Sequence, residues 1–176
     1  MTVLNGTAAG ETLIGSSLDD VIKGLGGDDR LFGSAGFDRL YGGDGFDRLY
    51  GSDGDDRLDG DAGTDWLYGG KGADIEIGDE GADRLLGAAG NDLLYGGIDD
   101  DVLDGGSHDD RLYGGDGNDV LYGGNTFGVG GTDFIQCGNG DDIFNAGDGN
   151  DVVYGGNGDD YGLLSDGDDR FWGGAG

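Results

Sequence analysis

The sequence predicts an all-β solenoid of two thin parallel sheets, with tight turns along both edges. Two observations lead to this fold class. A nine-residue repeat runs through almost the whole chain, and the 176 residues include 46 Gly, no Pro and a net charge of −29. A short fixed repeat is typical of solenoids, in which each unit buries its apolar side chain only against neighbouring units. Residues 1–176 are therefore expected to form a single domain.

The repeat has the form G-G-x-G-x-D-x-U-x, where U is apolar, and its clearest copies are GGDGFDRLY and GGDGNDVLY. The sixth position is Asp in 17 of 18 units, with Glu11 as the exception, so composition alone does not explain the pattern. In chain order we assign a half repeat to 1–5, thirteen repeats to 6–122, an insertion to 123–127, five repeats to 128–172 and a half repeat to 173–176.

Each position of the repeat has a physical role. The glycines allow positive φ angles and close approach of the backbone. The last three residues are expected to form a short strand whose middle side chain faces inward. That eighth position is apolar in 16 of the 18 units, and Glu76 and Gly162 are the departures. All seven Arg stand at the seventh position and seven of eight Tyr at the ninth, so both are expected to face outward.

The acidic residues indicate a bound metal. Of the 38 acidic residues, 35 are Asp. If negative charge alone mattered, Glu would serve equally well. A short carboxylate beside a tight turn instead indicates oxygen coordination of a hard cation, and Ca²⁺ accepts six to eight oxygens in flexible geometry. Mg²⁺ requires stricter geometry, and softer transition metals would need more than one His and one Cys. The sequence therefore predicts calcium.

With these residues the chain resembles the repeats-in-toxin (RTX) family, whose nonapeptide repeats form a calcium-binding parallel β-roll, and the resemblance covers nearly the whole sequence. It implies that a Ca²⁺ ion lies between the turns of adjacent coils, bound by the sixth-position Asp and by carbonyl oxygens of the glycine-rich turn. The metal ligands it implies are Asp20, Asp29, Asp38, Asp47, Asp56, Asp65, Asp74, Asp83, Asp92, Asp101, Asp110, Asp119, Asp133, Asp142, Asp151, Asp160 and Asp169.

Four units depart from the turn pattern at the fourth position, where Ala9, Leu18, Asp99 and His108 replace Gly. Together with Glu11, these departures predict weaker calcium sites near the N-terminus and around residues 99–110. The insertion at 123–127 is expected either to remove a site or to form an outward loop.

Charge indicates that folding and calcium binding are coupled. Eighteen turns, each paired with the next but one, allow at most about 16 ions, whose charge would nearly balance the −29 of the chain. Without ions the carboxylates would repel one another along both edges. We therefore expect a disordered calcium-free chain and a rigid calcium-loaded rod.

Several function classes are disfavoured. The negative field of the chain repels nucleic acid. No apolar run approaches the length of a membrane span. No zinc-protease, nucleophile-elbow or phosphate-loop motif occurs, so we expect no catalysis. His108 and Cys137 stand at turn positions, and we interpret both as incidental.

Three functions are left open. The first is an extracellular structural rod, which the resemblance implies folds in extracellular calcium. The two partial end repeats together complete one unit, so this rod is also hypothesised to associate head to tail into a fibre or surface layer. The second is a calcium-triggered folding and secretion module of a larger toxin, adhesin or hydrolase. The third is a module that binds glycans or cell surfaces through its outward Tyr and Arg.

Overall fold

The computed structural model describes residues 1–124 and 130–176, which contain nineteen strands and no helix. Within them, no helix has the length and hydropathy needed to cross a membrane. All pairing is parallel, and the strands alternate between two sheets. The predicted all-β class with two parallel sheets is confirmed.

The ten-stranded sheet contains, in spatial order, β1 (Val3–Asn5), β3 (Val21–Gly26), β5 (Arg39–Asp44), β7 (Arg57–Ala62), β9 (Ile75–Glu80), β11 (Leu93–Ile98), β13 (Arg111–Asp116), β15 (Phe134–Asn139), β17 (Val152–Asn157) and β19 (Arg170–Ala175). The nine-stranded sheet contains β2 (Thr12–Ile14), β4 (Arg30–Ala35), β6 (Arg48–Asp53), β8 (Trp66–Lys71), β10 (Arg84–Ala89), β12 (Val102–Ser107), β14 (Val120–Gly124), β16 (Ile143–Asn145) and β18 (Tyr161–Leu163).

Two repeats complete one coil, so each residue pairs with the residue 18 positions later, as Leu40 does with Leu58. Pairs that span the insertion have an offset of 23, as for Leu112 and Ile135, and pairs beyond it return to 18, as for Ile135 and Val153. Gly124 itself still pairs with Gly106 at the offset of 18. The five extra residues therefore enter after Gly124, and residues 125–127 of the predicted insertion lie outside the described part of the chain.

The core is a ladder formed by one inward side chain from each repeat, the eighth-position residue, in both sheets. Its large members are at most 2% exposed, and they are Ile22, Leu31, Leu40, Leu49, Leu58, Leu67, Leu85, Leu94, Leu103, Leu112, Leu121 and Ile135. Outward aromatic rings stack on neighbouring coils instead, with centroids 4.8 Å apart for Phe32 and Tyr50 and 4.9 Å apart for Tyr95 and Tyr113. The predicted directions of both sets are therefore observed.

Most strands are six residues long, whereas the repeat predicts three. The extra residues are the first three of the next unit, and they keep parallel pairs such as Leu25 with Gly43 and Gly26 with Asp44. The second of them has a left-handed backbone in many coils, with φ of 82° at Leu25 and 88° at Ser52. This residue bends the chain at the sheet edge, while pairing to the coils on either side continues.

The two departures at the eighth position are accommodated differently. Gly162 pairs with Phe144, and a side chain on this glycine would meet the Phe144 ring. The large ring thus fills the space that the missing side chain leaves. Glu76 is fully buried inside the ladder between Leu58 and Leu94, where only apolar residues are expected.

Truncation of a ladder residue should be costly. We expect Leu49→Ala to lower the free energy of unfolding by about 3 kcal/mol, because hydrogen-bonded coils on both sides prevent collapse around the cavity. Urea unfolding in saturating calcium measures this. The control is Leu18→Ala, whose side chain is 62% exposed. Equal effects of the two substitutions would contradict the assignment of the eighth-position residues to the core.

Candidate metal centre

The sixth-position carboxylates form one row along each edge of the solenoid. The first row contains Asp20, Asp38, Asp56, Asp74, Asp92, Asp110, Asp133, Asp151 and Asp169, and the second contains Asp29, Asp47, Asp65, Asp83, Asp101, Asp119, Asp142 and Asp160. All are at most 3% exposed except the last member of each row. The structure therefore places every predicted ligand in a row, and Glu11 begins the second one.

Each row is held by one repeated hydrogen bond. The backbone N–H of each Asp donates to Oδ1 of the Asp in the next coil, at 2.7 Å for Asp38 to Asp56 and 2.8 Å for Asp65 to Asp83. The bond also crosses the longer connection, at 2.8 Å from Asp110 to Asp133. The rows are thus continuous on both sides of the insertion, and the protein itself satisfies one oxygen of each carboxylate.

In most members of the rows the other carboxylate oxygen has no protein donor, whereas Oδ2 of Asp20 accepts hydrogen bonds from Ser16. The Oδ2 atom is buried and without a hydrogen-bond partner in Asp29, Asp38, Asp47, Asp56, Asp65, Asp74, Asp83, Asp92, Asp101, Asp110, Asp119, Asp142, Asp151 and Asp160. A single buried acceptor without a partner costs about 1–3 kcal/mol, and more when it is charged. Native proteins rarely leave such atoms unsatisfied. Repetition along both edges therefore indicates that a cation or a proton belongs beside each Oδ2.

In the repeats before the insertion, the space beside Oδ2 exists because the first residue of the turn is glycine. A Cβ added to Gly60 would lie 2.6 Å from Asp65 Oδ2 and 2.9 Å from the Gly78 carbonyl oxygen. At Gly105 the corresponding distances are 2.5 Å to Asp110 Oδ2 and 2.7 Å to the Gly123 carbonyl oxygen. A carboxylate and a carbonyl oxygen of the next coil therefore converge at these turns. This donor set fits Ca²⁺, which prefers these two ligand types.

Two of the four unusual fourth-position residues keep the left-handed backbone of the turn. Asp99 and His108 adopt left-handed φ angles of 78° and 84°, at a cost of about 1–2 kcal/mol each. Asp101 and Asp110 in the same units still lie in the rows, and their backbone N–H groups donate at 2.9 and 2.8 Å. The rows thus show no break where the sequence predicts weaker sites.

Glu76 reaches one of these turns from inside the core, which the sequence analysis did not foresee. A Cβ on Gly69 would lie 2.5 Å from Asp74 Oδ2 and 2.7 Å from Glu76 Oε1. The Gly69 N–H donates to Oε1 at 2.7 Å, and Oε2 is buried without a partner. The only signal in the sequence was an acidic residue at an otherwise apolar position, two residues after Asp74.

Burial makes these carboxyls difficult to ionise without a cation. Desolvation raises the pKa of Asp65, Asp101 and Asp110 to about 8, although the N–H donor from the adjacent coil partly opposes the shift. Burial also raises the pKa of Glu76 well above its usual value. Asp20 is the opposite case, because a hydrogen bond from the Ser16 backbone lowers its pKa to about 2.

Comparison with known families agrees with this geometry. The family model described as the RTX calcium-binding nonapeptide repeat matches residues 5–40, 41–76, 77–107, 104–125, 127–161 and 165–176. No curated protein matches the chain at a significant level.

The calcium-free protein should be stabilised by acid. The row carboxyls titrate near 3.9 in an unfolded chain, but the pKa of Asp65 is raised to about 8 in the fold. Because the folded state holds more protons between these values, its stability should fall as pH rises from about 4 to about 8. Far-UV circular dichroism in calcium-depleted buffer at pH 5 and pH 8 measures this. More β-structure at pH 8 than at pH 5 would contradict it.

Proposed function

Because the chain belongs to the RTX calcium-binding nonapeptide-repeat family, we propose that it is a structural protein that folds on calcium binding into a rigid β-roll outside the cell. The observation that carries the proposal is the repeated buried Oδ2 without a donor, beside a carbonyl oxygen of the next coil. A proton also neutralises a carboxylate, and at neutral pH it does so where burial raises the pKa to about 8, as at Asp65. A divalent ion neutralises it at neutral pH and also attracts the carbonyl oxygen.

The proposed ligands are the seventeen aspartates of the two rows, each acting with carbonyl oxygens of the glycine-rich turns. Each ion would link two successive coils at one edge, in parallel with the hydrogen bond between Asp N–H and Oδ1. Calcium thus strengthens contacts between neighbouring coils, and the rod is stabilised along its whole length. Since ions would bind the folded chain far better than the unfolded one, binding drives folding.

Glu76 is proposed as an additional ligand at the turn of Gly69 and Asp74. Its Oε1 shares that turn with Asp74 Oδ2, and its negative charge is otherwise uncompensated inside an apolar ladder. A nearby divalent ion supplies the missing counter-charge, which explains why an acid is tolerated there.

An extracellular location follows from calcium availability and from the usual secretion of RTX proteins. A chain that needs many ions would stay unfolded where calcium is scarce and fold where it is abundant. Folding that depends on calcium concentration also suits a folding and secretion module of a larger protein. The structural rod and the secretion module would therefore fold by the same mechanism. Stacked outward rings, such as Tyr154 on Trp172 at 4.7 Å, support a structural use of the aromatic residues over glycan binding.

Head-to-tail self-association is a second candidate. It is favoured by the apolar side chains of β19, where Phe171 and Trp172 are 44% and 46% exposed. Sedimentation velocity in calcium over a wide range of protein concentration tests it. We expect species larger than the monomer, and a monomer at every concentration would contradict self-association.

Loss of one row carboxylate should weaken calcium binding. We expect Asp83→Asn to raise the calcium concentration at half-folding roughly tenfold, since affinity depends on the number of charged ligands. Asp159→Asn removes the same charge from an exposed side chain and should leave the midpoint almost unchanged. Calcium titration followed by circular dichroism compares them. Identical midpoints would contradict the assignment of row residues as ligands.

The substitution Glu76→Gln distinguishes two roles of Glu76, that of a calcium ligand and that of a protonated core residue. Glutamine has the shape of a protonated glutamate, so a merely hydrogen-bonded Glu76 would leave the calcium midpoint unchanged after substitution. A ligand would lose its charge, and we then expect a several-fold higher midpoint. The control Leu58→Met changes the neighbouring ladder residue without affecting any carboxylate.

A further inference from the structure

Three carboxylates that belong to neither row meet on the outer face of the ten-stranded sheet. Asp59 and Asp61 lie on β7 and Asp79 lies on β9. One carboxylate oxygen from each lies within 4.8 Å of the other two. These residues occupy the ninth and second positions of the repeat, away from the sixth-position turn ligands.

Asp59 is the buried member of this sheet-face cluster, with only 7% of its surface exposed. Its Oδ2 accepts a hydrogen bond from Arg57 at 2.8 Å. Its Oδ1 is buried and has no hydrogen-bond partner. The paired residue in the neighbouring coil is Tyr41. Asp59 therefore places a carboxylate where that coil has an aromatic ring, and only one of the two carboxylate oxygens has a hydrogen-bond donor.

The other two members stand where neighbouring coils have glycine. Asp61 pairs with Gly43, and Asp79 pairs with Gly97. Both aspartates adopt left-handed φ angles, 68° and 73°, which cost about 1–2 kcal/mol each outside glycine. The chain therefore carries two acidic side chains at positions where glycine would be less strained and would avoid the repulsion.

The negative charge of the cluster favours binding of a divalent cation. Three carboxylates and the Arg57 guanidinium leave a net charge of −2. Burial and the Asp59 carboxylate raise the pKa of both Asp61 and Asp79, and Asp44 and Glu80 add further negative charge nearby. The donor set consists of carboxylate oxygens only, which is typical of hard cations.

We propose that Asp59, Asp61 and Asp79 bind one Ca²⁺ ion on the outer face of the ten-stranded sheet, separate from the two rows in the turns. Asp59 is the anchor, because Arg57 fixes one of its oxygens and leaves the other available. Asp61 and Asp79 are exposed, so water completes the coordination that calcium requires. Since the residues come from adjacent strands, the ion clamps two successive coils together through their side chains.

The test compares the number of bound ions in matched variants. Asp61→Gly with Asp79→Gly introduces the residue of the neighbouring coils, relieves both left-handed aspartates and removes two ligands. The control is Ser52→Gly with Ala88→Gly, which makes the same backbone change at φ of 88° and 79° without loss of a carboxylate. Bound calcium per folded chain is measured by elemental mass spectrometry after equilibrium dialysis at saturating calcium, with folding checked by circular dichroism.

We expect the aspartate variant to bind one calcium ion fewer than wild type, and the control to bind the wild-type number. An unchanged number in the aspartate variant would overturn the proposal and indicate a proton shared between the carboxylates. If the double variant does not fold, Asp59→Asn gives the same readout with an isosteric change and should also lose one ion. Absence of ions from the turn rows would lower the total for every variant, whereas this proposal depends only on the difference.

Discussion

Most coils in the described part of the chain place two aspartate carboxylates out of contact with water, and in most of these carboxylates one oxygen has no donor. The same burial raises their pKa, so the rows favour a positive charge beside them. The turn glycines, the position of the next carbonyl oxygen and the hydrogen bonds along each row all serve this arrangement. Without a proton or a cation beside these oxygens, each edge would carry a line of like charges that repel one another.

The apolar core alone gives a weak alternative source of stability. Each unit contributes a single inward side chain, and both sheets present charged, polar or aromatic residues to water on their outer faces. A domain with so little buried apolar surface per residue has difficulty offsetting the entropy of folding. Under the proposed function, the Leu ladder and the cations bound at the two aspartate rows therefore act together: the ladder fixes the spacing of the coils, and the bound ions hold successive coils at that spacing.

The sequence predicted the parallel sheets, the inward ladder and the alternation of outward residues, because each follows from the nine-residue period. It did not predict six-residue strands, since pairing through a left-handed residue such as Ser52 depends on the next coil. Contacts between residues distant in sequence were also missed. Glu76 contacts the turn at Gly69 from within the core. Asp59 on β7 lies close to Asp79 on β9, the adjacent strand of the sheet. A repeat defines the average unit, whereas these contacts arise where single units depart from it.

The most direct test of the account is a calcium titration of the wild-type chain followed by far-UV circular dichroism, with magnesium as the control ion. We expect a cooperative change from coil to β-structure in calcium at neutral pH and little change at the same concentration of magnesium. A calcium-free chain with the full β-spectrum at neutral pH, unaltered by added calcium, would contradict the proposal that cations bound at the two aspartate rows drive folding.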